Sequence, residues 1–205
     1  MSAPLAADEA RRLEDLYGPL TQSLRTLIDV TIRSRADDTD VRQAHSLINQ
    51  AVTLLSSRLD PEPFGVRATT EGGTLTWGNV AIGLRNAIAF PLHVIRDDNG
   101  ATSADLHVTA PYEGPPGHVH GGVCALILDH VLGATAHQPG RPAVTGTLTV
   151  RYVAPTRLGP LRAEAWVESE TESKTVAVGH LRNSEGTVTV EAHGVFIRPK
   201  AKHDN

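Results

Sequence analysis

The segment Glu113-Gly-Pro-Pro-Gly-His-Val-His-Gly-Gly-Val-Cys-Ala-Leu-Ile-Leu-Asp129 decides how this chain folds. A turn rich in proline and glycine leads into a His-Gly-Gly sequence. The apolar run from Val123 to Leu132 that follows predicts a buried helix. Gly121 and Gly122 have no Cβ, so another group can approach their backbone closely. The first amides of a helix have no partners inside it and can donate to a partly negative oxygen.

One acid, Asp129, lies inside that apolar run. Burying a carboxylate among apolar side chains is costly unless it has a partner or a purpose. Amides that stabilise an oxyanion, combined with a carboxylate, suit the attack of water on an activated acyl group. Asp129 is therefore predicted to be catalytic. The alternative interpretation is a buried acid that caps or pairs with a neighbour.

The composition is that of an ordinary globular protein. Its 205 residues are 40% hydrophobic and 20% charged, with a formal net charge of −4. Without a broad basic character, the chain is not expected to bind nucleic acid or anionic membranes. Its one cysteine, Cys124, excludes an intrachain disulfide and fits a reducing compartment. We find no signal peptide and no apolar run near the ~20 residues of a membrane span, so we expect a cytoplasmic protein.

Residues 1–60 show the periodicity of helices and predict an N-terminal helical hairpin as a first domain. The polar segment 34–40 separates its two apolar sets, and Pro61 and Pro63 end the second. Three roles remain open for the hairpin: a structural brace, a lid over a substrate, or a partner-binding surface. The first apolar set is Leu13, Leu16, Leu20, Leu24, Leu27 and Ile28, and the second is Val41, Ala44, Leu47, Ile48, Ala51 and Leu55.

Residues 64–199 predict an α+β domain. Two strand-like runs precede the apolar helix, joined by the hairpin signal Asp97-Asp98-Asn99-Gly100, and four follow it. Strands that meander in this way form an antiparallel sheet. A helix that is apolar around its circumference must be wrapped by that sheet. The runs cover 90–96, 101–110, 143–153, 161–170, 175–182 and 187–197.

This order of elements, together with His120-Gly121-Gly122 and Asp129, resembles the hotdog-fold acyl-CoA thioesterases. More narrowly, it is similar to the PaaI-type branch, including its human thioesterase-superfamily members with a Glu-Gly-Pro-Pro-Gly…His-Gly-Gly turn. The resemblance covers about 64–199 and does not extend to the first 60 residues. It implies a hotdog fold, in which an antiparallel sheet curls around a long central helix. It also implies a homodimer whose active sites lie between two protomers, and leaves open whether dimers pair into tetramers.

The resemblance implies roles for five residues. In this branch an acid on the helix attacks the thioester or activates the attacking water, and Asp129 occupies that position. The amide after the motif histidine, that of Gly121, holds the thioester oxygen, with Gly122 beside it. His120 helps to orient that group, and a structural hydrogen bond to the turn is compatible with this role. A Ser or Thr on the next strand often supports the chemistry; Thr145 aligns there, and an ordinary strand threonine is the alternative.

The predicted substrate is an acyl-CoA, and no cofactor is expected. Arg151, Arg157 and Arg162 flank a strand-turn-strand and are candidates for binding the phosphates of coenzyme A, with solvated surface arginines as the alternative. Six residues before the motif histidine, several relatives have a polar side chain where this chain has Gly114. No metal is predicted, because no set of Cys, His and carboxylate residues has zinc spacing. The histidines near the motif are His118, His120, His130 and His137.

The predicted activity is hydrolysis of an acyl-CoA to a carboxylic acid and free coenzyme A. One alternative is a non-catalytic acyl-CoA-binding or regulatory module, which Gly114 favours. A second is a hotdog hydratase, which would need an Asp and a His five residues apart. In a helix, His120 and Asp129 would lie ~13 Å apart on nearly opposite faces. Both can therefore act on one substrate only across two antiparallel helices of a dimer.

Overall fold

The computed structural model describes residues 3–90, 92–138 and 142–199. By its contacts the chain divides into two compact units, one ending at Ala89 and the other beginning at Phe90. None of the helices in the described ranges is both long and apolar enough to cross a lipid bilayer.

The first unit begins with two helices, as the periodicity predicts. These are α1 (Ala7–Arg33) and α2 (Asp38–Ser56). Asp37 caps α2, because its carboxylate accepts the backbone N–H groups of Thr39 and Asp40. The polar segment 34–40 therefore separates the two helices and also provides the N-cap of the second.

The segment 64–89 clusters with α1 rather than with the later strands. Arg25 of α1 donates to the carbonyl oxygens of Gly83 and Asn86, at 3.3 Å and 3.1 Å. The sequence predicts a second domain that begins at residue 64, and the domain limits of 1–60 and 64–199 stay a prediction. The segment also contains a short antiparallel pair, β1 (Arg67–Ala68) and β2 (Thr74–Leu75).

Unlike α1, α2 has no buried residue. Every position from Asp38 to Ser56 is exposed in a single chain. Its periodic apolar side chains are therefore not covered by the other described residues of the first unit, α1 included.

The second unit is a six-stranded antiparallel sheet packed on one helix. The strand order is β3-β4-β6-β7-β8-β5. Two strands precede the helix α3 (Gly121–Ala136) and four follow it, which is the predicted α+β order. The strands are β3 (Ile95–Arg96), β4 (Thr102–Val108), β5 (Val144–Tyr152), β6 (Gly159–Glu170), β7 (Lys174–Asn183) and β8 (Val188–Ile197).

The first of these strands is shorter than the predicted run 90–96. The N–H of Leu92 donates to the carbonyl of Phe90. The N–H of Leu92 is therefore not available to a neighbouring strand. Pairing therefore starts only at Ile95.

α3 lies on one face of the sheet, and the sheet covers only the side of the helix that faces it. On that side Ile127, Leu128, Val131 and Leu132 are completely buried. The opposite side, which includes Asp129, is partly exposed in a single chain. The sequence predicts a helix buried all round, and one sheet is not wide enough to achieve this.

Two glycines let the helix approach the sheet closely. A Cβ at Gly179 would lie 2.7 Å from Leu132 Cδ1, and one at Gly194 would lie 3.1 Å from Leu132 Cδ2. Both distances are below an ordinary van der Waals contact. Larger residues at these positions would push α3 away from the sheet.

Arg96 caps the C-terminus of α3. Its guanidinium donates to the carbonyl oxygens of Ala134, Thr135 and His137. The last carbonyls of a helix have no partners within it, and a cation there also opposes the negative end of the helix dipole. We expect Arg96→Gln to lower the free energy of unfolding by about 1–2 kcal/mol, since the side chain is exposed. Urea unfolding measures this change.

Arg96→Lys is the matched control for charge. It keeps the cation but loses the planar fork of donors, so its stability should lie between those of wild type and Arg96→Gln. If Arg96→Gln is as stable as wild type, the cap does not contribute.

Candidate active site

The turn before α3 is held in place by backbone hydrogen bonds from both sides. The N–H of His120 donates to the carbonyl of Tyr112 at 2.9 Å, and that of Val119 donates to Thr156 at 2.8 Å. Val119 is buried, which anchors the turn to the unit. The helix N-terminus therefore has a defined position relative to the turn that follows β5.

His120 is the N-cap residue of α3. Its Nδ1 accepts the N–H of Gly122 at 3.0 Å. A ring nitrogen that accepts cannot carry a proton, so the neutral imidazole is protonated at Nε2. The structural hydrogen bond considered in the sequence analysis is present, and a role in orienting a substrate stays a prediction.

The two glycine amides, both predicted as oxyanion donors, are not equivalent. The N–H of Gly122 is already taken by His120. The N–H of Gly121 has no acceptor among the described residues. As the first residue of α3, Gly121 also has no carbonyl one turn earlier within the helix to bond. Gly121 is therefore the amide available to a ligand.

Tyr152, which sequence reasoning missed, fixes the carbonyl end of the Gly121–Gly122 peptide. Its hydroxyl donates to the carbonyl oxygen of Gly121 at 2.8 Å. A Cβ at Gly121 would lie 3.2 Å from that hydroxyl oxygen, so the ring occupies the space that a side chain would need. Together with His120, it holds both ends of one peptide group.

Asp129 and Thr145, both candidate site residues, lie in contact. The Thr145 hydroxyl donates to Asp129 Oδ1 at 2.9 Å. Asp129 is partly exposed rather than buried, because it lies on the side of α3 that the sheet leaves open. Its carboxylate is therefore oriented by a neighbour and accessible to a ligand or to a second molecule.

A β-bulge makes this arrangement possible. The register of β5 on β8 shifts between Thr145 and Thr147. Without a bulge, Thr145 and Tyr152 would point to opposite faces of the strand, because they are an odd number of residues apart. With it, both reach α3. The alternation of inward and outward positions along a regular strand would place Thr145 and Tyr152 on opposite faces, so the sequence pattern could not have identified this pair.

Asp129 and Gly121 do not meet in a single chain. Eight residues of helix separate them by ~12 Å along the axis. A cavity of about 570 Å³ opens at the Gly121 end, and Asp129 is not among its lining residues. The cavity is lined by Pro115, His118, Val119, Gly121, Cys124, Tyr152, Val153, Ala154, Pro155 and Thr156.

The three predicted phosphate-binding arginines lie in different surroundings. Arg162 forms ion pairs with Asp105 and Glu164 at 2.8 Å and 2.9 Å, which raise the pKa of its guanidinium. Arg151 lies 3.4 Å from Glu191. Arg157 is exposed and follows the cavity-lining Thr156, with no ion pair in the described part of the chain. Of the three, Arg157 is the one without an ion pair in the described ranges, and its backbone adjoins a cavity-lining residue.

Gly114 stands where a side chain cannot fit. A Cβ at this position would lie 2.7 Å from the Cα of His120. The turn folds back so tightly that backbone occupies the space. The polar group that several relatives have there is therefore excluded by the conformation of this turn.

Cys124 is a core residue. It is buried, and this burial raises the pKa of its thiol, partly offset by a hydrogen bond with Thr156. A thiol with a raised pKa is a poor nucleophile at neutral pH. Within the described ranges no group of three or more His, Cys, Asp or Glu residues could hold a metal ion.

Comparisons with known proteins identify similar structures. The family model of the thioesterase superfamily matches residues 116–199. A crystal structure of a thioesterase superfamily protein is 30% identical, covers 88% of this chain and 94% of that chain, and has a TM-score of 0.77. These similarities confirm the hotdog fold. No curated protein matches the chain.

Two more distant structures share the fold. The PaaI protein from the phenylacetic acid degradation operon of E. coli is 21% identical, with a TM-score of 0.51 over 54% of this chain and 81% of that chain. A thioesterase from Haemophilus influenzae is 16% identical, with a TM-score of 0.52 over 57% of this chain and 84% of that chain. Both match little more than half of the chain.

His130, beside the candidate acid, should make stability depend on pH. Burial lowers the pKa of its imidazole from the usual 6.5, and the charge of Asp129 opposes this only in part. Between the lowered value and 6.5 the unfolded chain holds a proton that the folded chain lacks. The free energy of unfolding should therefore decrease as the pH falls through this window. We expect the melting temperature of His130→Gln to fall less than that of wild type between pH 7.5 and ~5.

His107→Gln is the control, because His107 is exposed on β4. Its pH dependence should follow that of wild type. Equal losses of melting temperature in wild type and His130→Gln would show that His130 is not the group responsible.

Proposed function

The chain belongs to the thioesterase superfamily, and from this premise we propose that its substrate is an acyl-CoA. The reaction converts acyl-CoA and water to a carboxylic acid and free coenzyme A. The observation that carries this proposal is the carboxylate of Asp129, oriented by Thr145 at 2.9 Å on the open side of an otherwise apolar helix. An ionised group in such surroundings has a purpose beyond packing.

Asp129 accepts a proton from the attacking water as the water oxygen bonds to the thioester carbonyl carbon. The thioester oxygen gains negative charge, and the N–H of Gly121 donates to it. The carbon–sulfur bond then breaks, and the proton held by Asp129 passes to the leaving thiolate. Direct attack by the carboxylate, followed by hydrolysis of the resulting anhydride, uses the same residues.

The Gly121 amide is pre-oriented for this role. Tyr152 holds the carbonyl of the next peptide group at 2.8 Å, and His120 holds its N–H at 3.0 Å. Donors that are fixed before the reaction need no reorganisation when charge develops. The cavity beside Gly121 receives the thioester, and Arg157, which follows the lining residue Thr156 in sequence, is the candidate for binding the phosphates of coenzyme A.

A complete site needs two chains. Gly121 and Asp129 lie at different heights of α3, ~12 Å apart. The open side of α3 is largely apolar, and the neighbouring edge strand β5 is exposed along most of its length. An antiparallel pairing of two α3 helices covers both surfaces. It also brings the Gly121 of one protomer to the Asp129 of the other, giving a homodimer with two shared sites.

Asp129→Asn should keep the fold and lower turnover by about 10²–10⁴, because the amide is nearly isosteric but cannot take a proton. Thr145→Val should cost about tenfold, the equivalent of one hydrogen bond to a charged group. Release of free thiol from a panel of short, long and aromatic acyl-CoAs measures both effects.

Thr149→Val is the matched control, since it removes a hydroxyl from the outer face of the same strand. It should leave turnover unchanged. Near wild-type turnover by Asp129→Asn would contradict the assignment of this acid. Binding of acyl-CoA without release of thiol by wild type would favour the non-catalytic binding module instead.

Mixing two inactive variants tests the shared site. In Gly121→Val, the new side chain would collide with Tyr152, whose hydroxyl lies 3.2 Å from a Cβ at this position. This variant is therefore expected to be inactive. In a mixed dimer of Gly121→Val and Asp129→Asn, one site has both intact groups and the other has neither. About half of random dimers are mixed, so recovery near a quarter of wild-type activity is expected.

Exchange of subunits must be shown independently, for example with two fluorescent labels. If exchange occurs and no activity returns, each site lies within one chain.

A further inference from the structure

His118 forms part of the wall of the cavity at the Gly121 end of α3. The residue is half-buried, and its Nδ1 lies 2.8 Å from the carbonyl oxygen of Pro116. A carbonyl oxygen can only accept a hydrogen bond, so Nδ1 carries the proton and donates. In the neutral imidazole Nε2 is then an acceptor, and it has no partner among the described residues.

The two histidines of the motif are therefore held in opposite tautomers. His120 accepts the N–H of Gly122 at Nδ1 and carries its proton at Nε2. His118 donates from Nδ1 and can accept at Nε2. Of the two, only His118 lines the cavity. The cavity wall therefore includes a side chain with a hydrogen-bond acceptor that the described part of the chain does not use.

The other polar side chains of the wall already have partners. The hydroxyl of Tyr152 donates to the carbonyl of Gly121 at 2.8 Å, and that of Thr156 donates to the hydroxyl of Thr189 at 2.8 Å. The thiol of Cys124 forms a hydrogen bond with Thr156. The remaining lining side chains are apolar. The ligand that suits this wall is a mostly apolar chain with a hydrogen-bond donor.

An acyl-CoA has two arms that could enter the cavity from a thioester oxygen held at Gly121. A hydrocarbon acyl arm has no donor, and packing it against His118 would leave the Nε2 acceptor unpaired, at a cost in affinity. The pantetheine arm has an amide N–H two carbons beyond the thioester sulfur. We propose that the pantetheine arm occupies the cavity and that this amide donates to Nε2 of His118.

His118 is then a residue that selects the thiol half of the substrate. This assignment rests on the proposed function for the place of the thioester oxygen at the Gly121 amide. It goes further in stating which arm the cavity holds and which chemical group is recognised there. The acyl group is left to bind outside this cavity, so the residues of the wall do not set the acyl preference.

The imidazole is fixed before a ligand binds. The carboxylate of Glu113 accepts the N–H of Gly117 at 2.6 Å, and the carbonyl of Gly117 accepts the N–H of Leu158 at 3.1 Å. Gly117 has a φ of +73°, a left-handed conformation that favours glycine. The turn is thus tied to the segment after β5, and Pro116 orients the ring of His118. A fixed acceptor loses little conformational entropy on binding.

Two substitutions separate recognition of a ligand from support of the turn. In His118→Asn the amide nitrogen takes the place of Nδ1 and can still donate to Pro116, but nothing replaces Nε2. In His118→Gln the longer side chain can offer its oxygen at the place of Nε2, and the hydrogen bond to Pro116 is lost. Recognition makes His118→Gln the milder change, whereas a purely structural role makes His118→Asn the milder one.

The probes are two S-butyl pantetheine thioethers, which cannot be hydrolysed. One has the natural amide beyond the sulfur, and the other has an ester oxygen in place of its N–H. Calorimetric titration into the full-length protein measures both dissociation constants. Wild type is expected to bind the amide about tenfold more tightly, the equivalent of one hydrogen bond. The ratio should fall to near one in His118→Asn and be largely kept in His118→Gln.

A ratio near one in wild type overturns the assignment, and so does failure of both probes to bind. Retention of the ratio by His118→Asn, together with its loss in His118→Gln, would assign His118 to the structure of the turn alone. The matching pair of butyryl thioesters tests turnover. If His118→Asn lowers kcat equally for the amide and the ester substrate, the residue acts on the leaving thiolate and the assignment is again overturned.

Binding and hydrolysis are measured separately, so the two proposals can fail independently. If wild type prefers the amide thioether but releases no thiol from the acyl-CoA panel, hydrolysis of acyl-CoA is wrong and the assignment of His118 stands. The pantetheine arm also occurs in acyl carrier proteins. Turnover of butyryl-CoA in preference to a butyryl acyl carrier protein is expected. The reverse preference would overturn CoA as the source of the arm and still support its recognition by His118.

Discussion

The incomplete cover of α3 is the constraint on which the rest of the structure depends. The helix is apolar around most of its circumference, and the sheet buries only the side that carries Ile127 and Val131. The other side holds the carboxylate of Asp129 among apolar neighbours. In the homodimer that we propose, a second molecule covers this side and removes the apolar surface from water. Because the carboxylate of Asp129 lies on this same side, the surface that needs covering is also the surface that carries the candidate catalytic acid.

The candidate site divides its tasks between the start and the middle of one helix. At the start, His120 and Tyr152 fix a single peptide group and leave the N–H of Gly121 free. In the middle, Thr145 orients Asp129. The polar position that several relatives use is closed by the backbone of His120. The rise of the helix keeps Gly121 and Asp129 apart, and this separation is the reason why we propose a site shared between two protomers.

The two compact units pose the same physical problem in different forms. Each has a helix whose apolar side chains are left exposed by the rest of its own unit: the open side of α3 and the apolar side of α2. Uncovered apolar surface of this extent marks an interaction site in soluble proteins.

The sequence by itself determined the order of the elements, the apolar helix that follows the His-Gly-Gly motif, and Asp129 and Thr145 as candidate site residues. Those features depend on residues near in sequence or on motifs that resemble a known family. Only the tertiary structure decided that a bulge turns Thr145 and Tyr152 to the same face, and that Arg162 is held in ion pairs. It also decided that α3 and α2 are left partly uncovered. The reason is physical: periodicity shows which side of an element is apolar, whereas strand register and the extent of the sheet determine what that side meets.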